Sequence, residues 1–163
     1  MAASGDSLAR NRLREERTSW RKNRPIGFVA KPKKNPDGSF DMLHWQCKIP
    51  GPVDTAWEGG LFPLDMTFTD EYPARAPVCK FNPPLFHPNV YPSGTVCLSI
   101  LNDEKDWKPT ITVPMILTGI QALLNEPNMA DPAHGDAYNL RRTDPDAYEA
   151  RIRTLAAEFR DDV

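Results

Sequence analysis

The sequence predicts an α+β domain: an N-terminal helix, a four-stranded antiparallel meander, a core helix and C-terminal helices. Three observations lead there. Two stretches in which apolar residues recur at every second position lie between turn signals in the first half of the chain. Later, Val113, Ile116, Leu117, Ile120, Leu123 and Leu124 follow the i, i+3, i+4, i+7 spacing of a helix with one buried face. No repeat or linker divides the chain, so its 163 residues read as one domain, 1–163, long enough to enclose a single core.

Each element has its own warrant. The first helix is expected over about Ser7 to Lys22, with Ala9, Leu13 and Trp20 as a thin apolar stripe. Beside that stripe Arg10, Arg14, Arg17 and Arg21 recur at i, i+4, i+7 and i+11, stacking four guanidiniums on one face. Such a face is either simply solvated or the contact for an acidic partner, which would relieve the repulsion among like charges. Gly27 to Lys31 is a short strand ended by Pro32, and Asn35-Pro36-Asp37-Gly38 is a turn. Leu43, Trp45, Cys47 and Ile49 alternate with Met42, His44, Gln46 and Lys48 as a half-buried strand, closed by Pro50-Gly51-Pro52. Phe62, Leu64, Met66 and Phe68 repeat the pattern, and Pro63 suggests that the first residues of that strand are unpaired. Val78 to Phe81 makes a fourth strand before Pro83-Pro84. The core helix runs from about Val113 to Glu126, with Thr112 as N-cap, Pro114 in its tolerant first turn and Pro127 as its stop. A short helix falls within Asp131 to Leu140. A last helix, capped by Thr143-Asp144-Pro145, carries Tyr148, Ile152, Leu155 and Phe159 on one stripe.

Composition excludes several classes. A hydrophobic content of 40% with 26% charged residues is that of a soluble globular domain, and a formal net charge of −2 gives no general attraction to nucleic acid. No run approaches membrane-spanning length, and Met1 to Arg10 carries no leader-like apolar segment. The three cysteines are odd in number and far apart, as expected of free thiols in a reducing intracellular compartment. None has zinc-ligand spacing, so no metal is expected.

The chemistry concentrates in His87-Pro88-Asn89-Val90-Tyr91-Pro92-Ser93-Gly94-Thr95-Val96-Cys97. Cys47 and Cys79 sit among alternating apolar residues and read as core. Cys97 follows a turn-rich loop, with Asn89 eight positions earlier. A thiol can carry an acyl group as a thioester, and an amide can hydrogen-bond the oxyanion formed when that thioester is attacked. A thioester is already activated, so no base beside the sulfur is required. The acceptor amine is what needs conditioning: an ordinary lysine, with a pKa near ~10.4, must be desolvated or oriented before it attacks at neutral pH. Asp131 is a candidate acceptor for it and Tyr91 a candidate apolar wall, although spacing alone places neither beside Cys97.

From Leu13 through Phe159 the chain resembles the ubiquitin-conjugating enzymes, and within them the branch that conjugates SUMO. The matching blocks include Trp20-Arg21-Lys22, Gly27-Phe28-Val29-Ala30, Lys34-Asn35-Pro36-Asp37-Gly38, Trp57-Glu58-Gly59-Gly60-Leu61-Phe62, the His87–Leu101 loop and Leu123-Leu124-Asn125-Glu126-Pro127-Asn128. A His-Pro-Asn triplet with a cysteine eight residues after its asparagine marks the superfamily. Tyr91-Pro92-Ser93-Gly94 and the ten-residue step from Cys97 to Trp107, about two longer than usual in ubiquitin-type members, mark the SUMO branch; the extra loop is Asn102-Asp103-Glu104-Lys105-Asp106.

The resemblance implies that Cys97 takes SUMO from its activating enzyme and passes it to a substrate lysine. Asn89 would stabilise the oxyanion, while Asp131 and Tyr91 orient and desolvate the lysine. Substrates would carry an aliphatic-Lys-x-acid motif, read by Pro132 and Ala133 on the aliphatic side and by Ser93 and Thr95 on the acidic side. Tyr138, Glu104 and Lys105 would add contacts. Arg17, Arg21 and Arg24 match positions that hold a second, non-covalent SUMO and help to bind the activating enzyme. SUMO ligases are implied as partners, nucleus and cytoplasm as the location, and no cofactor. Two positions depart from the family pattern. Val78 stands where a lysine usually pairs with the motif acid, leaving Lys80 as the nearest cation, and Gly135 stands where alanine is common; both bear on motif reading, not on transfer.

Two rival readings remain at this point. An ordinary ubiquitin-conjugating enzyme would share Cys97 and Asn89 but normally lack Tyr91 and the extra loop. A cysteine hydrolase would need His44, His87 or His134 as base beside Cys97.

Overall fold

A computed structural model of the chain describes residues 7–160. The first six residues, part of the segment read above as lacking a leader, and the last three lie outside it. Helix α1 is Leu8–Asn23, and the hydroxyl of Ser7 accepts from Arg10 N as its N-cap. Strands β1 (Val29–Lys34), β2 (Phe40–Pro50), β3 (Leu61–Thr67) and β4 (Val78–Phe81) follow. Then come α2 (Val113–Asn125), α3 (Gly135–Thr143) and α4 (Pro145–Glu158). The four strands pair in sequence order, every pairing antiparallel. That is the expected meander.

The alternation in sequence becomes a two-faced sheet. Trp45, Cys47 and Ile49 of β2, Phe62, Leu64 and Met66 of β3, and Cys79 and Phe81 of β4 are all buried on one face. On the other, Lys31, Gln46, Asp65 and Lys80 form a row across the four strands. The buried face is covered by Ala9, Leu13 and Trp20 of α1 and by Ile116, Leu117, Ile120 and Leu124 of α2 in one continuous core. Both helices contact β2. Cys47 and Cys79 are core residues, and burial pushes both thiols upward, away from the reactive thiolate form.

Several expectations change in detail. Pro32 does not end β1. The strand runs on to Lys34, and the register with β2 shifts between Pro32 and Lys33. β1 is an edge strand, so a residue without an N–H costs it little. The first residues of β3 are paired after all: Leu61 lies opposite Pro50 and Pro63 opposite Lys48. Pro63 O accepts from Asn82 N, so this residue's backbone groups point away from β2 and its missing N–H breaks no β2 bond. The short helix starts inside the expected segment, at Gly135, where His134 caps it by accepting from Ala137 N, but it runs past Leu140 to Thr143, and the residues before it serve a loop described below.

Glu16 had no assigned role, yet it is buried at 6% exposure. Its Oε1 accepts from Val113 N at 3.1 Å, the first residue of α2. Its Oε2 accepts from Arg12 Nε at 3.0 Å, and Arg12 also donates to Pro109 O and Ile111 O. A carboxylate at a helix N-terminus meets both an unpaired N–H and the positive end of the dipole. This link fixes α1 against the segment entering α2. At the other end, Leu61 N donates to Phe159 O at 2.8 Å and the Phe62 and Phe159 rings lie 5.5 Å apart, tying α4 to the sheet.

Candidate active site

The loop from His87 to Cys97 is laid along the free edge of β4. Phe81 N donates to Gly94 O, Val96 N to Cys79 O, and Lys80 forms an isolated bridge with Thr95. The approach is too close for any side chain at position 94. A Cβ there would lie 2.2 Å from Phe81 O, and the residue has φ +97°, so glycine is required. Tyr91 N donates to Thr95 O and Gly94 N to Tyr91 O, closing the tip. Cys97 N donates to Asn89 O at 2.8 Å, which fixes the cysteine beside the asparagine backbone.

His87 is the buried foundation of this loop. Its Nδ1 accepts from Asn89 N at 2.9 Å, so the proton resides on Nε2, which donates to Leu123 O of α2 at 2.8 Å. Burial, above all, lowers its pKa to about 4, and the ring is neutral at physiological pH. Pro88 O then accepts from both Ala133 N and His134 N. The Asn89 side chain, 1% exposed, makes three bonds to the same segment. Its Nδ2 donates to Asn128 O (2.9 Å) and Asp131 O (3.1 Å), and its Oδ1 accepts from Asn128 N (2.8 Å). The His-Pro-Asn triplet therefore fastens residues 128–134 onto the cysteine loop. This is what carries Asp131 across 34 positions of sequence to Cys97.

Cys97 is half-buried, and its Sγ lies 3.8 Å from Asp131 Oδ2. Burial raises the thiol pKa, the Asp131 charge adds to the effect, and the neighbouring Tyr91 hydroxyl opposes it. A Cys97 thiolate in turn pushes the Tyr91 phenol upward. Lys105 Nζ reaches the same Asp131 Oδ2 at 3.7 Å. These groups line a cleft of about 650 Å³ together with Asn89 and Glu104. The site thus holds a thiol with little thiolate character next to a carboxylate. It is poorly suited to attack an unactivated amide, whereas an acyl group that arrives already activated as a thioester asks far less of the nucleophile. Rate measurements of Cys97 alkylation against pH should place its inflection above the ordinary thiol value. Asp131→Asn removes one raising charge and should move it downward; a native inflection below the ordinary value would contradict this electrostatic picture.

The other residues singled out by sequence fall into three places. Ser93 and Thr95 share a hydroxyl–hydroxyl bond of 3.0 Å on the loop tip, next to exposed Lys80, while Val78 is exposed two residues earlier on β4. Pro132 is exposed and Ala133 is tied to Pro88, whereas Tyr138 lies on α3 with the Arg142 guanidinium 5.8 Å from its ring centroid. Arg17 and Arg21 line a separate depression on α1 with Arg14, Lys22 and Met42, and Arg17 sits 4.3 Å over the Phe40 ring. Arg24 follows at the C-cap of α1. No histidine lines the Cys97 cleft: His44 bonds Asp41 on β2, His134 caps α3 and His87 is buried. The hydrolase arrangement is absent among the described residues.

Sequence reasoning missed Asp103 and Arg75. Asp103 Oδ1 accepts from Ala76 N at 2.7 Å and its other oxygen pairs with Arg75 at 3.6 Å, so the extra loop is folded back on the segment before β4. An acid and an arginine 28 positions apart give no sequence signal of their meeting.

A half-buried cysteine on a ledge beside β4, fastened through a His-Pro-Asn turn to the loop that carries Asp131, is an arrangement suited to a thioester-carrying transferase. Residues 12–156 match the family model described as ubiquitin-conjugating enzyme. The chain belongs to the ubiquitin-conjugating enzyme family. It is similar to the SUMO-conjugating enzyme UBC9 of Caenorhabditis elegans, at 53% identity over 93% of this chain and 92% of that protein. It is also similar to the SUMO-conjugating enzyme SCE1 of Arabidopsis thaliana, at 55% identity over 96% and 97%, respectively. The Sumo-conjugating enzyme ubc9 of Dictyostelium discoideum is 51% identical over 91% and 93%.

Proposed function

We propose that this protein is a SUMO-conjugating enzyme. It accepts SUMO as a thioester on Cys97 from the activating enzyme and transfers it to substrate lysines as an isopeptide. The observation that carries the reading is the Cys97–Asp131 pair in a cleft without a histidine, on a chain more than half identical over its length to enzymes of that name. The carboxylate is positioned to accept a proton from an incoming ammonium or to orient its amine, and exposed Tyr91 walls the approach.

In this reading Asn89 is the oxyanion donor. One Nδ2 hydrogen, spent at rest on Asn128 O or Asp131 O, turns to the oxyanion as the acyl carbon becomes tetrahedral. Substrates present an aliphatic-Lys-x-acid motif to Pro132 and Ala133 on one side and to Ser93, Thr95 and Lys80 on the other. Tyr138, Glu104 and Lys105 border that path. Where a lysine would help to read the acid, Val78 offers none, so Lys80 is the cation of this subsite. The α1 surface with Arg17, Arg21 and Arg24 binds the activating enzyme and a second, non-covalent SUMO. SUMO ligases assist transfer, and the setting is the nucleus and cytoplasm.

Two measurements test these assignments. Offered SUMO and ubiquitin separately, each with its own activating enzyme and ATP, the protein should form a thiol-sensitive adduct with SUMO; an adduct with ubiquitin alone would favour the ordinary conjugating enzyme. Replacing Arg17 and Arg21 together by glutamate should slow charging and weaken non-covalent SUMO binding by about tenfold or more at low salt, with less effect at high salt. Arg21 is exposed and Arg17 is half-buried with its guanidinium over the Phe40 ring at the surface, so thermal unfolding should change little. Unchanged charging at physiological salt would remove the α1 surface from the mechanism.

A further inference from the structure

The extra loop places an amine inside the active site. Its fold is tightly specified. Glu104 N donates to Asn102 Oδ1 and Lys105 N to Asn102 O, while Asp106 N returns to Ser99 O and Trp107 N to Asn102 O. Asp103 fastens the loop to Ala76, and the buried Trp107 anchors its end through Nε1 to Pro73 O at 3.0 Å. From this base the Lys105 side chain extends to Asp131. One carboxylate oxygen, Asp131 Oδ2, is shared by Lys105 Nζ at 3.7 Å and Cys97 Sγ at 3.8 Å. Among the described residues Lys105 is the lysine that lines the Cys97 cleft; Lys22 lies on α1, Lys31, Lys33, Lys34 and Lys48 on β1 and β2, Lys80 on β4, and Lys108 beyond the loop, outside the cleft lining.

The pair holding Lys105 is weak. Both side chains are more than half exposed, at 56% and 55%, where an ion pair contributes about 0–1 kcal/mol. Lys105 is therefore held near the sulfur without being locked to the carboxylate, and its four side-chain torsions can turn the amine towards a group on Sγ. A reacting amine attached to the same chain and already oriented has a large advantage over one that must diffuse in.

Resting on the reading that Cys97 carries SUMO as a thioester, we infer that Lys105 is a modification site, an acceptor to which the charged enzyme transfers its own SUMO when no substrate occupies the cleft. In the step, the Lys105 ammonium gives one proton to Asp131, which passes it to solvent. The neutral amine attacks the thioester carbonyl carbon and an N–C bond forms. Collapse of the tetrahedral intermediate breaks the C–S bond, and the second amine proton neutralises the departing Cys97 thiolate. No other reactant enters. The product carries SUMO on the loop that borders the substrate path, so it blocks the cleft to further peptide. A bound substrate lysine displaces Lys105 from Asp131 and suppresses the reaction.

The experiment uses the full chain charged with SUMO, after which ATP is removed with apyrase and no substrate is added. The thiol-sensitive adduct should decay, in part, into a thiol-resistant adduct. Its formation, normalised to the thioester present, should be first order and independent of enzyme concentration. Peptide mapping should place the isopeptide on Lys105, and Lys105→Arg should lower its rate by about tenfold or more. A motif peptide added in excess should suppress it in the native protein. A thiol-resistant adduct on other lysines, a rate proportional to enzyme concentration, or an unchanged rate in Lys105→Arg would each overturn the inference while leaving the functional reading intact. Absence of any thiol-sensitive SUMO adduct would overturn the functional reading and this inference with it.

Discussion

Cys97→Ala abolishes the adduct with SUMO and all transfer, whereas Cys97→Ser forms an adduct that resists thiols. The expectation follows from the distribution of the three cysteines. Cys47 and Cys79 are enclosed in the sheet core, and burial keeps both protonated, so neither can replace Cys97 as acceptor. A serine hydroxyl in the same place is a poorer nucleophile but, once acylated, forms an ester that thiols cleave slowly. Charging reactions run on gels with and without reductant check both outcomes. The fold should survive either change, since Cys97 is half-buried and its backbone N–H bond to Asn89 O is independent of the side chain. An adduct that persists in Cys97→Ala would move the reaction to another residue.

Asn89→Ala should be the next most damaging change, and it should act in two ways at once. The side chain makes three bonds to the Asn128–Asp131 segment from a position 1% exposed. Truncation leaves Asn128 N without its partner and frees two carbonyls, a cost on the order of 1–3 kcal/mol for a buried unmet polar group. The segment carrying Asp131 then loses its register against Cys97. Removal of a proposed oxyanion donor adds a loss of about 10²–10³-fold in transfer. The two contributions separate in the measurement. A donor acting on the oxyanion alone would lower single-turnover transfer and leave the thermal midpoint unchanged; an anchor would move both. We expect both to fall. Native-like transfer in Asn89→Ala would remove the residue from the mechanism.

Most of the fold was legible because its signals are local. The alternation of Trp45, Cys47 and Ile49 and the helical spacing from Val113 to Leu124 each report one face of one element, and the structure buries those faces. The differences arise where a residue's meaning depends on a distant neighbour. Pro32 looked like a terminator, but on an edge strand, with a register shift directly after it, a residue without an N–H is tolerated. Pro63 looked unpaired, but its backbone points towards Asn82. Glu16 had no role readable from sequence, yet it accepts the first N–H of α2, because Val113 comes to it from 97 positions away.

The site divides along the same line. Cys97 and Asn89 were visible as a cysteine and an amide at a fixed short spacing. The resemblance named Asp131 as their companion, while the physical reason is the set of bonds from Pro88 and Asn89 to residues 128–134. His87, a candidate base by residue type alone, is structural: both ring nitrogens are occupied and burial keeps it neutral. Nothing in the sequence linked Asp103 to Arg75 or aimed Lys105 at Asp131, since loops of this kind acquire partners only through tertiary contact.

If the acceptor amine, and not the sulfur, is what this site conditions, Asp131 must matter after charging. The direct test is single-turnover discharge of preformed SUMO thioester to a motif peptide, followed per charged enzyme in native protein and Asp131→Asn. Discharge should slow by on the order of 10²-fold in the variant near neutral pH. The deficit should shrink as pH rises towards the lysine's own pKa, because the neutral amine then forms without help. Equal discharge rates for the two proteins across that pH range would contradict the mechanism.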